Sequence, residues 1–163
     1  MSKLNIKNNY KTTETCSMLN ILLATQIDFY YTYKHFHWNL KNSDFYQYHT
    51  LFDDHATIIH ETQDKLAERI RQMGEITSGE VNDVVKITLL KDKLANENNL
   101  DAIKKYLIEC HDLVIGYMEQ VIKHTSNDVI IKDNISDYAT ADIITGMLES
   151  HQQMRWFLTA SSD

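Results

Sequence analysis

The 163-residue chain contains no proline and only four glycines, Gly74, Gly79, Gly116 and Gly146. Hairpins and tight turns draw heavily on those two residue types, so a sheet of short strands is excluded and long helices are expected. Cysteine is scarce too. Cys16 and Cys110 each fall at an apolar position of a helical pattern and lack the paired spacing of a zinc site, so both are expected as buried, reduced thiols. No run of about 18 uninterrupted apolar residues occurs, and the opening MSKLNIKNNY has no hydrophobic stretch of the signal-peptide kind. A soluble, intracellular, cytoplasmic protein with no membrane partner is expected. Basic charge is the last shortage: 16 Lys and Arg face 23 Asp and Glu, for a net charge of −7. Such a molecule repels nucleic acid except through a local basic patch.

The length is that of one domain with a core of its own. Residues 1–11 are polar, with Lys3, Lys7 and Lys11 spread along them, and are expected to form a flexible N-terminal tail. From about Thr12 the apolar positions Met18, Leu19, Leu22, Leu23, Ile27, Tyr30 and Tyr33 recur at three- and four-residue steps, the mark of a helix with one buried face. Thr12 or Thr13 is its expected N-cap. Lys41 to Asp44 break the pattern, and Asn42 or Ser43 can cap a second helix that stops at Gly74. Residues 75–98 mix β-branched and polar residues that fit a short strand or a short helix, and a crossover with a short helix is expected. Third and fourth helices follow, near 99–126 and 135–158. Four long helices with one long connection predict an all-α, ferritin-like four-helix bundle over residues 12–160.

Residues 37–68 concentrate the metal-capable side chains, including four of the eight histidines. Bundles of this class commonly bind metal through Glu-x-x-His pairs on a helix face, yet no histidine follows any glutamate by three residues here. What exists instead is a stripe. His49, Asp53, His60, Asp64 and Glu68 lie within roughly a 100° sector of the second helix. The pairs His49/Asp53 and Asp64/Glu68 each span adjacent turns. Fifteen residues separate His49 from Asp64, about 22 Å along a straight helix, whereas metal–ligand bonds are about 2 Å. One chain cannot bring both pairs to one ion. Either two separate weak sites exist, or two copies of the helix lie antiparallel across a two-fold axis and complete each other's site. The second arrangement gives a mixed imidazole and carboxylate shell suited to Fe(II), with open positions for an oxidant.

Taken together, His37-Trp38-Asn39-Leu40, Phe45, His49, Phe52, Asp53 and Asp64-x-x-Ala67-Glu68-Arg69, with residues 140–158 as a last helix, resemble the Dps-type miniferritins, the DNA-binding proteins of starved cells. The resemblance implies a compact four-helix subunit in a hollow homododecamer. It also implies ferroxidase centres between two-fold partners, with His37 and His49 from one subunit, Asp64 and Glu68 from the other, and Asp53 assisting at a second, weaker iron position. Trp38 would lie beside the centre, with core packing as its alternative role. The implied activity is oxidation of Fe(II), preferably by hydrogen peroxide rather than oxygen, with ferric product stored in the shell and protection from oxidative stress. Asp133, Asp137 and Asp142 match acidic residues that line a cation pore in the family; their other reading is as helix-start acids.

Two further readings stand beside this one. A DNA-compacting protein with secondary iron chemistry would rely on Lys3, Lys7 and Lys11, and its affinity would collapse as salt rises. A plain helical interaction module would make the histidines incidental, and His35, His55, His60, His111, His124 and His151 carry no assigned role on sequence grounds.

Overall fold

The computed structural model describes residues 9–91, 94, 97–126 and 137–161, with side chains from Glu14 onward. Five helices follow in order: α1 (Asn9–Asn39), α2 (Phe45–Gln72), α3 (Val81–Ile87), α4 (Leu100–Ser126) and α5 (Tyr138–Ala160). No strand occurs among the described residues. The all-α bundle expected from the sequence is what forms. No described helix is long and apolar enough to cross a membrane.

The five residues between α1 and α2 fold them into a hairpin that packs along its length, and α4 packs on α5 in the same manner. α1 also touches α4 and α2 touches α5, which closes a four-cornered bundle. The chain therefore crosses diagonally from α2 to α4, and α3 lies on α1 along that path. This is the single long crossover of ferritin-like bundles. The segment whose strand or helix character periodicity left open is helical over Val81–Ile87; its place against one face of α1 supplies no strand partner.

Helix ends follow local chemistry. α2 stops where Gly74 takes φ +91°, with Gly74 N–H donating to Arg71 O and Glu75 N–H to Ile70 O. That is a Schellman motif, and its left-handed position favours glycine. α5 starts at Asp137, whose carboxylate accepts from Thr140 N–H. Two expected caps differ. α1 is already helical at Asn9, because nothing in the preceding polar stretch breaks a helix, so Thr12 and Thr13 lie inside it. Asp44 rather than Asn42 or Ser43 holds the N-cap position of α2, without a side-chain cap bond. Most of the expected tail, including Lys3 and Lys7, and the expected start of the last helix near Ile135 lie outside the described residues.

Leu19, Leu22, Phe29, Phe36, Phe52, Ile59, Leu66, Ile103, Leu107, Met118, Ile144 and Leu158 fill the bundle axis. Burying side chains of this size stabilises by about 2 kcal/mol each. Cys16 and Cys110 are both buried and not joined in a disulfide, as expected. Arg69 ties α2 to the start of α5 by donating to Thr140 Oγ1 and Asp137 Oδ1, both at 2.8 Å. At the opposite end Tyr48 and Lys104 both donate to Ser161 O.

Candidate metal centre

The α1–α2 hairpin brings His37, at the end of α1, against His49, in the second turn of α2. Their rings stack with centroids 3.7 Å apart, and Phe45 stacks on the outer face of His49 at 4.7 Å. Each ring Nδ1 reaches the other residue's main-chain oxygen, His37 Nδ1 to His49 O at 2.7 Å and His49 Nδ1 to His37 O at 2.9 Å. A carbonyl only accepts, so both Nδ1 atoms carry the proton and both Nε2 atoms keep a lone pair. That reciprocal lock fixes tautomer and orientation, as main-chain partners do for metal-binding histidines generally.

Asp53 lies one turn further along α2 and meets Lys34 of α1, whose ammonium donates to Oδ1 at 2.6 Å. The hydrogen bond and charge of Lys34 hold the Asp53 carboxyl below the usual carboxylate range, with the nearby His37 and His49 adding to the effect. Lys34 also sits over the Trp38 ring, 5.8 Å from its centroid. Trp38 is 63% exposed, so it is not a core residue of the subunit. Its indole instead faces outward beside Lys34.

Asp64 and Glu68 occupy the same stripe of α2 further on and are exposed. Neither forms a hydrogen bond or ion pair among the described residues. No group of three or more His, Cys, Asp or Glu converges on one point among those residues either. His37 and His49 thus meet each other, Asp53 is held by Lys34 one turn further along α2, and Asp64 and Glu68 stand further along the same helix, as the helix arithmetic requires. The pore candidates are scattered: Asp133 is outside the described residues, and Asp142 is exposed on α5. Asp137 caps α5 and pairs with Arg69. Partial burial opposes its ionisation, but the bonds from Thr140 and the Arg69 guanidinium outweigh that and hold its carboxyl below the usual range.

Two features escaped the sequence reading. One is Lys34, whose signal was its isolation as a cation in the aromatic run FYYTYKHFHW. The other is a polar chain through the bundle centre. His55 Nδ1 lies 3.1 Å from Tyr33 Oη, Tyr33 Oη lies 2.7 Å from His111 Nε2, and His111 Nδ1 lies 3.0 Å from His151 Nδ1. His151 Nε2 ends the chain on the Gln26 amide. All five side chains are buried. Burial drives His55 down to about 4 and, with the neighbouring His55, drives His151 down to about 3. His111 is pushed well below its ordinary range for the same reasons. The imidazoles are therefore neutral at physiological pH. His111 and His151 lie four residues after Leu107 and Met147, on the core face, which was the available signal.

Residues 16–162 match the ferritin family, described as a ferritin-like domain. The DNA protection during starvation protein of Agrobacterium fabrum is 32% identical over 98% of this chain and 93% of its own length. The chain belongs to the Dps-type miniferritins. An uncharacterized low temperature-induced protein of Nostoc sp. is 25% identical over 77% of the chain, a match that spans 66% of that relative, slightly under two thirds of its length. Among solved structures, Dps from Thermosynechococcus elongatus superposes with a TM-score of 0.82 at 23% identity, over 92% of this chain and 90% of that one. Dps from Vibrio cholerae O1, described as a member of a broad superfamily of ferritin-like diiron-carboxylate proteins, gives 0.82 at 19% identity over 92% and 89%. At these identities the superpositions establish the miniferritin fold alone.

Proposed function

We propose that this miniferritin oxidises Fe(II) at centres shared between two-fold partners and stores the ferric product inside a dodecameric shell. The observation that carries the reading is the reciprocal lock of His37 and His49, which spends each Nδ1 on a main-chain oxygen and leaves each Nε2 without a partner among the described residues. His111 and His151 in the bundle centre spend both nitrogens on partners; these two keep one nitrogen each unspent. Asp64 and Glu68, exposed and without described partners, supply the carboxylates that the histidine half lacks when α2 meets a second α2 antiparallel.

In this arrangement Fe(II) is the substrate. The carboxylates of Asp64 and Glu68 balance its charge, and the Nε2 atoms of His37 and His49 complete a mixed shell that favours iron. Two Fe(II) ions deliver one electron each to hydrogen peroxide; its O–O bond breaks, two protons are taken up, and two waters leave. Peroxide is the preferred oxidant because a two-electron route releases no hydroxyl radical. Protection from oxidative stress follows from removing both reactants together. Asp137 and Asp142, with Asp133, are the candidate acids of a cation entry route, although Asp137 is already engaged by Arg69.

Stopped-flow Fe(II) oxidation with peroxide and with oxygen, on a sample whose mass is fixed by light scattering, tests the proposal. The D64N/E68Q variant is expected to lose rapid oxidation while keeping the full assembly. Unchanged kinetics in an intact oligomer would overturn it.

A further inference from the structure

We propose that Tyr33 is a buried one-electron donor that feeds the exposed Trp156 and passes its phenolic proton to His111. The proposal does not depend on the iron chemistry above, since none of its residues belongs to the His37/His49 site.

A phenol gives up an electron readily only if its proton leaves at the same time, because the oxidised phenol is a far stronger acid than any imidazolium. Tyr33 is fully buried, so water cannot take that proton. Its oxygen instead lies 2.7 Å from His111 Nε2, and in the tautomer that carries its proton on Nδ1 the neutral imidazole is a base already in place. Tyr48 and Tyr117 differ. They donate to the carbonyls of Ser161 and Met18, which cannot accept a proton outright.

The acceptor has support behind it. His111 Nδ1 and His151 Nδ1, 3.0 Å apart, share the next proton. His151 Nε2 faces both ends of the Gln26 amide, Nε2 at 3.0 Å and Oε1 at 3.2 Å, so the amide suits either direction of the chain. Rotation of the amide presents its oxygen to a protonated Nε2 or its NH2 to a bare one, so the chain can run in either direction. His55 Nδ1, at 3.1 Å, donates to the phenoxyl oxygen once the tyrosine proton has gone. Its own Nε2 is buried with no hydrogen-bond partner among the described residues, and the chain of described bonds ends there.

An electron route joins this centre to the surface. Trp156 is 60% exposed and stands 4.9 Å, centroid to centroid, from Phe157. Phe157 is 6.2 Å from His55, and His55 is 5.4 Å from Tyr33. An oxidant that strikes the exposed indole takes one electron from it. The indole is then refilled from Tyr33, whose O–H bond breaks as N–H forms on His111, leaving a neutral phenoxyl radical and an imidazolium. The damage is held where solvent and other molecules do not reach it.

The test uses the metal-free oligomer and sulfate radical anion, made by flash photolysis of persulfate, which gains one electron and becomes sulfate. Electron paramagnetic resonance of the wild type is expected to show a hydrogen-bonded tyrosyl radical. Y33F should lose that signal and leave oxidised tryptophan; an equal tyrosyl signal in Y33F would overturn the proposal. W156F changes only an exposed position and keeps the fold. It should lower the yield of the Tyr33 radical, and an unchanged yield would overturn the route.

Discussion

His37 and His49, where α1 meets α2, each give Nδ1 to a main-chain carbonyl and keep Nε2 open. His111 and His151, in the bundle centre, give both nitrogens away, to Tyr33, to each other and to Gln26. The same side chain keeps one nitrogen unengaged in one region and is a neutral link in the other. What separates them is where the second nitrogen points, because a ring with one protonated and one bare nitrogen must find one acceptor and one donor, or leave one side open to something that is not protein. The open side faces the surface at His49 and is closed by other side chains at His151.

The contrast breaks most sharply on truncation. H151A leaves a cavity and strands Gln26 and His111 without partners, so the unfolding midpoint in urea, followed by circular dichroism on metal-free protein, should correspond to a loss of about 3–5 kcal/mol. H49A removes a partly exposed ring and should cost about 1 kcal/mol or less, while abolishing divalent-metal binding at that half-site. Equal losses of stability would mean that the two regions do not differ as described.

Acid sharpens the same comparison. His111 and His151 are held neutral in the folded state, His151 down to about 3, while an unfolded histidine titrates near 6.5. Above that value both states are neutral and no penalty exists. As pH falls below it, the unfolded chain takes up protons that the fold refuses, and stability declines until the folded value is reached. Over that window His151 alone contributes a loss on the order of 4 kcal/mol. H151Q should flatten the decline measured in urea from pH 7 to pH 4; an unflattened curve would place the acid sensitivity elsewhere.

The sequence made these regions legible to different degrees. The four long helices were evident because their apolar positions recur over 20 residues or more, and the absence of proline left nothing to interrupt them. Val84, Val85 and Ile87 could not be assigned to strand or helix because the stretch is too short for its period to decide, and the face of α1 decided it. His37, His49 and Asp53 were legible as a group because they are close in sequence. The central chain was not, since Tyr33 is 78 residues from His111 and Gln26 is 125 from His151. Periodicity places a histidine on the core face but does not say what each nitrogen will meet.

Lys34 is the one cation that enters the open region, and it yields the smallest effect on stability with the clearest effect on chemistry. Its ammonium, 2.6 Å from Asp53 Oδ1 and only 15% exposed, already holds that carboxylate oxygen. Under the proposed function a first ion would use the Nε2 atoms and the partner's carboxylates, and a second at Asp53 would have to compete with a bound cation of its own sign. K34M keeps the aliphatic stem that packs against α2 and removes the charge. Because such a half-exposed ion pair contributes about 0–1 kcal/mol, the unfolding midpoint should scarcely move. Cobalt(II) titration of the metal-free oligomer should nevertheless show more ions bound per centre than in wild type. An unchanged stoichiometry would mean that Asp53 is not a ligand even when free, and that the centre binds one metal by design of its carboxylates rather than by the competition of Lys34.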